Sequence, residues 1–171
     1  TATYTVQEGD TVLLNTATAS STSDIDASTV EDISVECMVE ICYEETAFGG
    51  DTAGEGKAWW FYFEAPGETE GSKTQDIWAG KNYYAGEVTV SECAEGEVTI
   101  TIVLADGWDL QDDDESVKIQ GYADGNVPSE RQPAGLFETY KGSDTIVTVD
   151  CFDNYVIQLD VQHCGEFEFE D

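Results

Sequence analysis

Apolar and polar residues alternate most regularly in two runs between residues 77 and 110, Glu87-Val88-Thr89-Val90-Ser91-Glu92 and Glu97-Val98-Thr99-Ile100-Thr101-Ile102-Val103-Leu104. A period of two places Val88 and Val90 on one face of the first run. It places Val98, Ile100 and Ile102 on one face of the second. Val, Ile and Thr suit a pleated, half-buried surface. Cys93-Ala94-Glu95-Gly96 lies between the runs and offers a glycine for positive φ, so the pattern predicts a β-hairpin. Trp78-Ala79-Gly80 precedes it and Asp106-Gly107-Trp108 follows it, and both tryptophans are expected to close the ends of a core.

The same period recurs along the chain. In residues 1–7 Ala2, Tyr4 and Val6 share one side and threonines the other. Val12-Leu13-Leu14 starts a second short strand, and the small polar stretch 15–23 reads as a linker. This predicts an N-terminal strand arm with its linker over residues 1–23 and one β-sandwich domain over 24–171. Residues 28–43 form a long alternating run, with Ile33, Val35, Cys37, Val39, Ile41 and Tyr43 opposite an acidic face. In Ala58-Trp59-Trp60-Phe61-Tyr62-Phe63, alternation puts Trp59, Phe61 and Phe63 on one face and Trp60 and Tyr62 on the other. Aromatic residues on both faces fit internal burial, a subunit interface, or a platform for stacking sugar rings. Residues 116–122 read as a strand, 136–140 as a brief one, 145–161 as a second hairpin, and 166–170 as a terminal strand. No stretch reads as a helix. The fold class is therefore all-β, a sandwich or jelly roll of about nine to eleven strands.

Charge narrows the partners. Across 171 residues, Lys and Arg number 6 and Asp and Glu 37, a net charge of −31. Such a surface repels phosphate backbones and anionic membranes, so nucleic acid is excluded as a partner. No apolar run approaches the length of a membrane-spanning helix, so no membrane insertion is expected. An aromatic content of 11% argues for a folded chain in spite of the acidity. The acidity suits a surface solvated in high salt, one that binds divalent cations, or one that keeps secreted monomers apart until a cation or covalent step joins them. Asp112-Asp113-Asp114-Glu115 reads as a solvated turn or as part of a calcium site, since calcium takes six to eight oxygens. It is not an EF-hand loop. No cofactor is expected, with calcium as the one alternative.

Five cysteines, Cys37, Cys42, Cys93, Cys151 and Cys164, occur without a C-x-x-C pair and with a single histidine, His163. Disulfides explain them better than zinc, haem or a redox motif. Cys93 and Cys151 each sit where a strand meets a turn and suit one another if those ends coincide. Cys37 and Cys42 face opposite ways on a straight strand. An odd count leaves one thiol over, for a second chain or for none. The chain opens on TATYTV, as a secreted protein does after signal-peptide removal, and the expected location is extracellular or at the cell surface.

No catalytic constellation stands out. A Ser-His-Asp centre would need His163, which lies beside Cys164 without a nucleophile elbow. Carboxylates for glycoside hydrolysis are too abundant to single any out. A non-enzyme is expected. Burying Ala2, Tyr4 and Val6 gains about 4–6 kcal/mol. Ordering the arm's backbone costs about 1–2 kcal/mol per residue. The arm must therefore also pair its backbone, either within its own sheet or by completing a neighbour's. The expected function is a self-assembling extracellular subunit whose partners are copies of itself. The alternative is a carbohydrate-binding module that stacks glycans on Trp60 and Tyr62.

Several short motifs carry a resemblance over residues 78–161. They are Trp78-Ala79-Gly80, Gly86-Glu87-Val88-Thr89-Val90, Asp106-Gly107-Trp108, Pro133-Ala134-Gly135-Leu136-Phe137 and Tyr155-Val156-Ile157-Gln158-Leu159. This part of the chain resembles an all-β module of secreted bacterial and archaeal surface proteins. The layout of arm and sandwich more loosely resembles prokaryotic filament subunits that join by donor-strand exchange. The resemblance implies an extracellular all-β domain and no defined activity.

Overall fold

The computed structural model describes residues 13–16, 34–37, 42–67 and 70–164, the first two segments by backbone course alone. The chain divides into two compact units, Thr1–Ile41 and Cys42–Asp171. In the first, β1 (Leu13–Thr16) and β2 (Ser34–Cys37) pair antiparallel, with Leu13 opposite Cys37. The division after Ile41 falls later than the boundary expected after residue 23, and it cuts the alternating run 28–43. The arm strand with Ala2, Tyr4 and Val6, and the terminal alternation 166–170, lie outside the described residues.

The second unit is built from β3 (Cys42–Gly49), β4 (Thr52–Ala53), β5 (Phe61–Glu64), β6 (Lys73–Ala79), β7 (Tyr83–Val90), β8 (Glu97–Leu104), β9 (Trp108–Leu110), β10 (Val117–Tyr122), β11 (Tyr140–Gly142), β12 (Ile146–Asp150) and β13 (Asn154–Cys164). These make one antiparallel sheet of 11 strands, ordered β11-β10-β13-β3-β6-β7-β8-β12, with β4, β5 and β9 attached beside the path. One 3₁₀ turn, Ala134–Leu136, is the only helical element among the described residues.

β13 is the spine. Along one side it pairs first with β5 and then with β3, and along the other with β10 and then β9. Its near-continuous apolar run follows from burial on both faces. Tyr155, Ile157, Leu159 and Val161 point into the main core, which also holds Ile77, Val88, Ile100, Ile119 and Val149. Strands from both ends of the order feed this one core, so the sheet folds over itself as a sandwich. Val156 points the other way, into a smaller cluster with Phe48, Trp60 and Phe137.

The hairpin of β7 and β8 forms as its alternation predicts, with Val88 opposite Ile102 and Val90 opposite Ile100. Glu95 and Gly96 turn it with φ of 56° and 91°, two consecutive left-handed residues as a type I′ turn requires. The expected second hairpin over 145–161 does not form. β12 pairs with β8, and β13 lies in the middle of the sheet. The corner between them is held by Tyr155, whose hydroxyl donates to the Asp150 carbonyl at 3.0 Å and accepts the Phe152 N–H at 2.8 Å.

Two expectations about aromatic residues also change. Trp108 is buried, but Trp78 is only half-buried and meets Tyr84 on the outer face instead of closing the core. Trp60 is 2% exposed and its indole N–H donates to the Glu55 carbonyl at 2.8 Å. No sugar ring can stack on it. Phe63 joins the main core, whereas Trp59, Phe61 and Tyr62 pack around Trp60 in the smaller cluster. The alternation fails before Phe61 because β5 begins only there.

Candidate functional site

The path of the sheet ends at β11 and β12, and beside it the short strands β4 and β9 also have one partner each. β11 has three residues and a lysine, Lys141, both of which discourage pairing with another chain. β12 has neither protection. Its residues Ile146-Val147-Thr148-Val149-Asp150 alternate without proline, bulge or basic side chain, and acids stand only at its flanks.

The direction of its backbone groups follows from the ladder to β8. Ile102 N–H donates to the Thr145 carbonyl at 2.8 Å, and Cys151 N–H donates to the Gly96 carbonyl at 2.9 Å. In an antiparallel ladder these directions alternate. Val147 and Val149 therefore aim their N–H and C=O groups at β8, and Ile146, Thr148 and Asp150 aim theirs outward. Among the described residues no strand pairs with this outward side. Side chains alternate as well. Val147 and Val149 enter the core, and Ile146 stands 66% exposed on the outer face near Val103, which is 61% exposed.

A cleft of about 440 Å³ opens beside the C-terminal half of β12. Thr148, Val149 and Asp150 line one part of it, and Gln120, Glu138 and Thr139 line another. Val149 and Phe152 give it apolar surface, while Glu97, Glu138 and Asp150 make it acidic, with no basic side chain among the lining residues. Its second wall is fixed by Glu138 N–H donating to Gln120 Oε1 at 2.8 Å and Gly121 N–H donating to Thr139 Oγ1 at 2.9 Å. The cleft thus lies between the C-terminal half of β12 and a wall made by Gln120 of β10 and the segment leading into β11.

Two disulfides hold this arrangement. Cys93 is bonded to Cys151, the pairing that the strand ends suggested, and it ties the end of β12 to the turn between β7 and β8. Cys42 is bonded to Cys164, directly opposite it in the register of β3 and β13. These bonds use four of the five cysteines. The fifth, Cys37, lies in β2, where the backbone alone is described.

The acidic run Asp112-Asp113-Asp114-Glu115 forms the turn from β9 to β10. Asp113 is committed to the turn itself, its Oδ1 accepting the Glu115 N–H at 3.0 Å and its carbonyl accepting the Ser116 hydroxyl at 3.0 Å. Among the described residues no three His, Cys, Asp or Glu side chains gather as a metal-binding group. No helix among the described residues is long and apolar enough to cross a membrane. Among the described residues the buried polar side chains are Gln75, Ser116, Gln158 and His163.

Sequence reasoning did not single out the β12 edge. The signal was present as an alternating run with no interruption by proline or lysine, but alternation alone does not distinguish an edge strand from an interior one. Comparisons with protein-family models, with curated proteins and with solved structures find no match.

Proposed function

We propose that this chain is a non-enzymatic extracellular structural subunit that assembles with copies of itself by β-strand addition, building a surface filament, fibre or sheath. The observation that carries the reading is the outward edge of β12, a regular and unprotected row of backbone donors and acceptors beside a cleft. Such an edge is a template for another chain. Residues 1–7 of a neighbouring copy suit it. They carry no acid in a chain of net charge −31, so they approach the acidic cleft without repulsion. Their alternation would set Ala2, Tyr4 and Val6 beside Val149 and Phe152 and continue the threonine face at Thr148. The backbone bonds along β12 supply what side-chain burial alone does not.

The two disulfides support an oxidising, extracellular setting. Cys37 is the cysteine left for a covalent link between copies, and divalent cations would screen the acidic surfaces that such copies bring together.

Electron microscopy and light scattering of the oxidised full chain at high concentration, with calcium and with chelator, test the proposal against a chain lacking residues 1–7. Regular assemblies from the full chain, lost on deletion of the arm, are expected. A full chain that stays monomeric under all these conditions overturns the assembly reading.

A further inference from the structure

We propose a second site on the outer face of β6 and β7, where Trp78, Tyr84, Asp76 and Glu87 bind an arginine side chain presented by a partner protein. A backbone irregularity builds it. Ile77 lies opposite Gly86, but Trp78 lies opposite Tyr84, so Ala85 is an extra residue in β7. Without this bulge, continued pairing would put Tyr84 opposite Ala79 and turn its ring into the core. With it, Tyr84 shares the outer face with Trp78 and stands 47% exposed. Only glycine fits the pivot. Gly86 has φ of 138°, and a Cβ there would lie 2.2 Å from the Val103 carbonyl oxygen.

The bulge sets two rows side by side. In one, the rings of Trp78 and Tyr84 stand 6.4 Å apart at 78°, forming a corner. In the next, Asp76 lies directly opposite Glu87. Like charges across a strand pair repel, and no basic residue stands on this face of β6 and β7 to relieve them. Asp51 adds a third carboxylate, its Oδ1 3.4 Å from the Asp76 N–H. The ion pair seen among the described residues, Lys118 with Asp160, lies elsewhere. The Tyr84 hydroxyl is raised above its ordinary value by desolvation and then by the charges of Glu87 and Asp76, so both carboxylates act on this ring.

An exposed aromatic corner beside two opposed carboxylates matches a guanidinium in particular. Its plane stacks on an aromatic face and its fork bonds carboxylates in pairs, which an ammonium does not do. The chain's one arginine, Arg131, is already placed over the Phe48 ring at 5.0 Å. The arginine therefore comes from a different protein. This site does not depend on the β12 edge.

The test is a titration of the isotope-labelled full chain with Nα-acetyl-arginine methylamide, followed by NMR at constant ionic strength. Saturable shifts concentrated at the Trp78 indole N–H, Tyr84 and Asp76 are expected. Tyr84→Leu is expected to weaken binding by about three- to fivefold, the size of an exposed cation–π contact. Tyr84→Phe keeps the ring and retains binding. Asp76→Asn weakens it, while Asp112→Asn, which removes the same charge elsewhere, leaves it unchanged. The lysine analogue binds more weakly. Shifts spread evenly over the acidic surface, or unaltered by Tyr84→Leu in a variant with an otherwise native spectrum, overturn the proposal.

Discussion

Thr148→Pro separates the two sides of β12 better than any other change. Thr148 aims its N–H outward, so a proline there leaves the inward bonds of Val147 and Val149 to β8 in place, and proline is tolerated on edge strands in this orientation. The isolated subunit should keep its denaturant midpoint to within about 1 kcal/mol of stability. Assembly loses more. One hydrogen bond to the added strand is worth about 0.5–1.5 kcal/mol, and the carbonyl left unpaired on that strand costs about 1–3 kcal/mol. Since the second figure already contains the loss of the bond, each contact weakens by about 1–3 kcal/mol, or roughly 5- to 150-fold. Val149→Pro is the contrasting variant. Its N–H points to β8 and its side chain is buried, so the fold itself should lose about 3 kcal/mol or more. Sedimentation and light scattering across a concentration series give the assembly threshold, and urea titration gives the stability. A folded Thr148→Pro variant that assembles at the parent's threshold refutes the use of this edge.

Other changes probe the frame. Replacing Cys93 and Cys151 together by serine opens a loop with a sequence separation of 58 and should lower stability by about 4 kcal/mol, read from urea midpoints under non-reducing conditions. Gly86→Val puts a side chain against the Val103 carbonyl at positive φ, where neither backbone can yield, and should cost more than about 2 kcal/mol in the same assay. Burial, and after it the charges of Asp150 and Asp153, outweigh a backbone hydrogen bond at Phe152 and raise the Tyr155 phenol. Below the ordinary tyrosine value the phenol is protonated both folded and unfolded, so its contribution is intact. Above pH 10 the unfolded chain ionises first, so stability should fall as pH rises through and beyond that value. Urea midpoints measured against pH should show this loss.

The fold was legible in the sequence where one face of a strand meets water. In β7 and β8 threonine and glutamate alternate with valine and isoleucine, and both strands and their turn follow from that pattern. Legibility failed where long-range pairing decides. Phe152-Asp153-Asn154 signals a turn whether the chain doubles back or crosses to the middle of the sheet, and the Tyr155 hydroxyl that holds the crossing has no local signature. The bond from Cys42 to Cys164 depends on a register between strands 122 residues apart. Trp78 and Trp108 each stand beside a glycine turn signal in sequence, but the phase of β6, which buries Ile77 and Ala79, sets Trp78 on the outer face. The open edge escaped for a related reason, since position within a sheet is a property of the whole strand order and not of the strand.

Hydrogen exchange at the backbone amides of β12, in dilute and in concentrated oxidised protein, addresses the proposed contact most directly. Val147 and Val149 should exchange slowly in both states, because β8 already holds them. Ile146, Thr148 and Asp150 should exchange fast when dilute and become protected on assembly. Assemblies in which these three amides stay as fast as in the monomer would contradict strand addition at this edge.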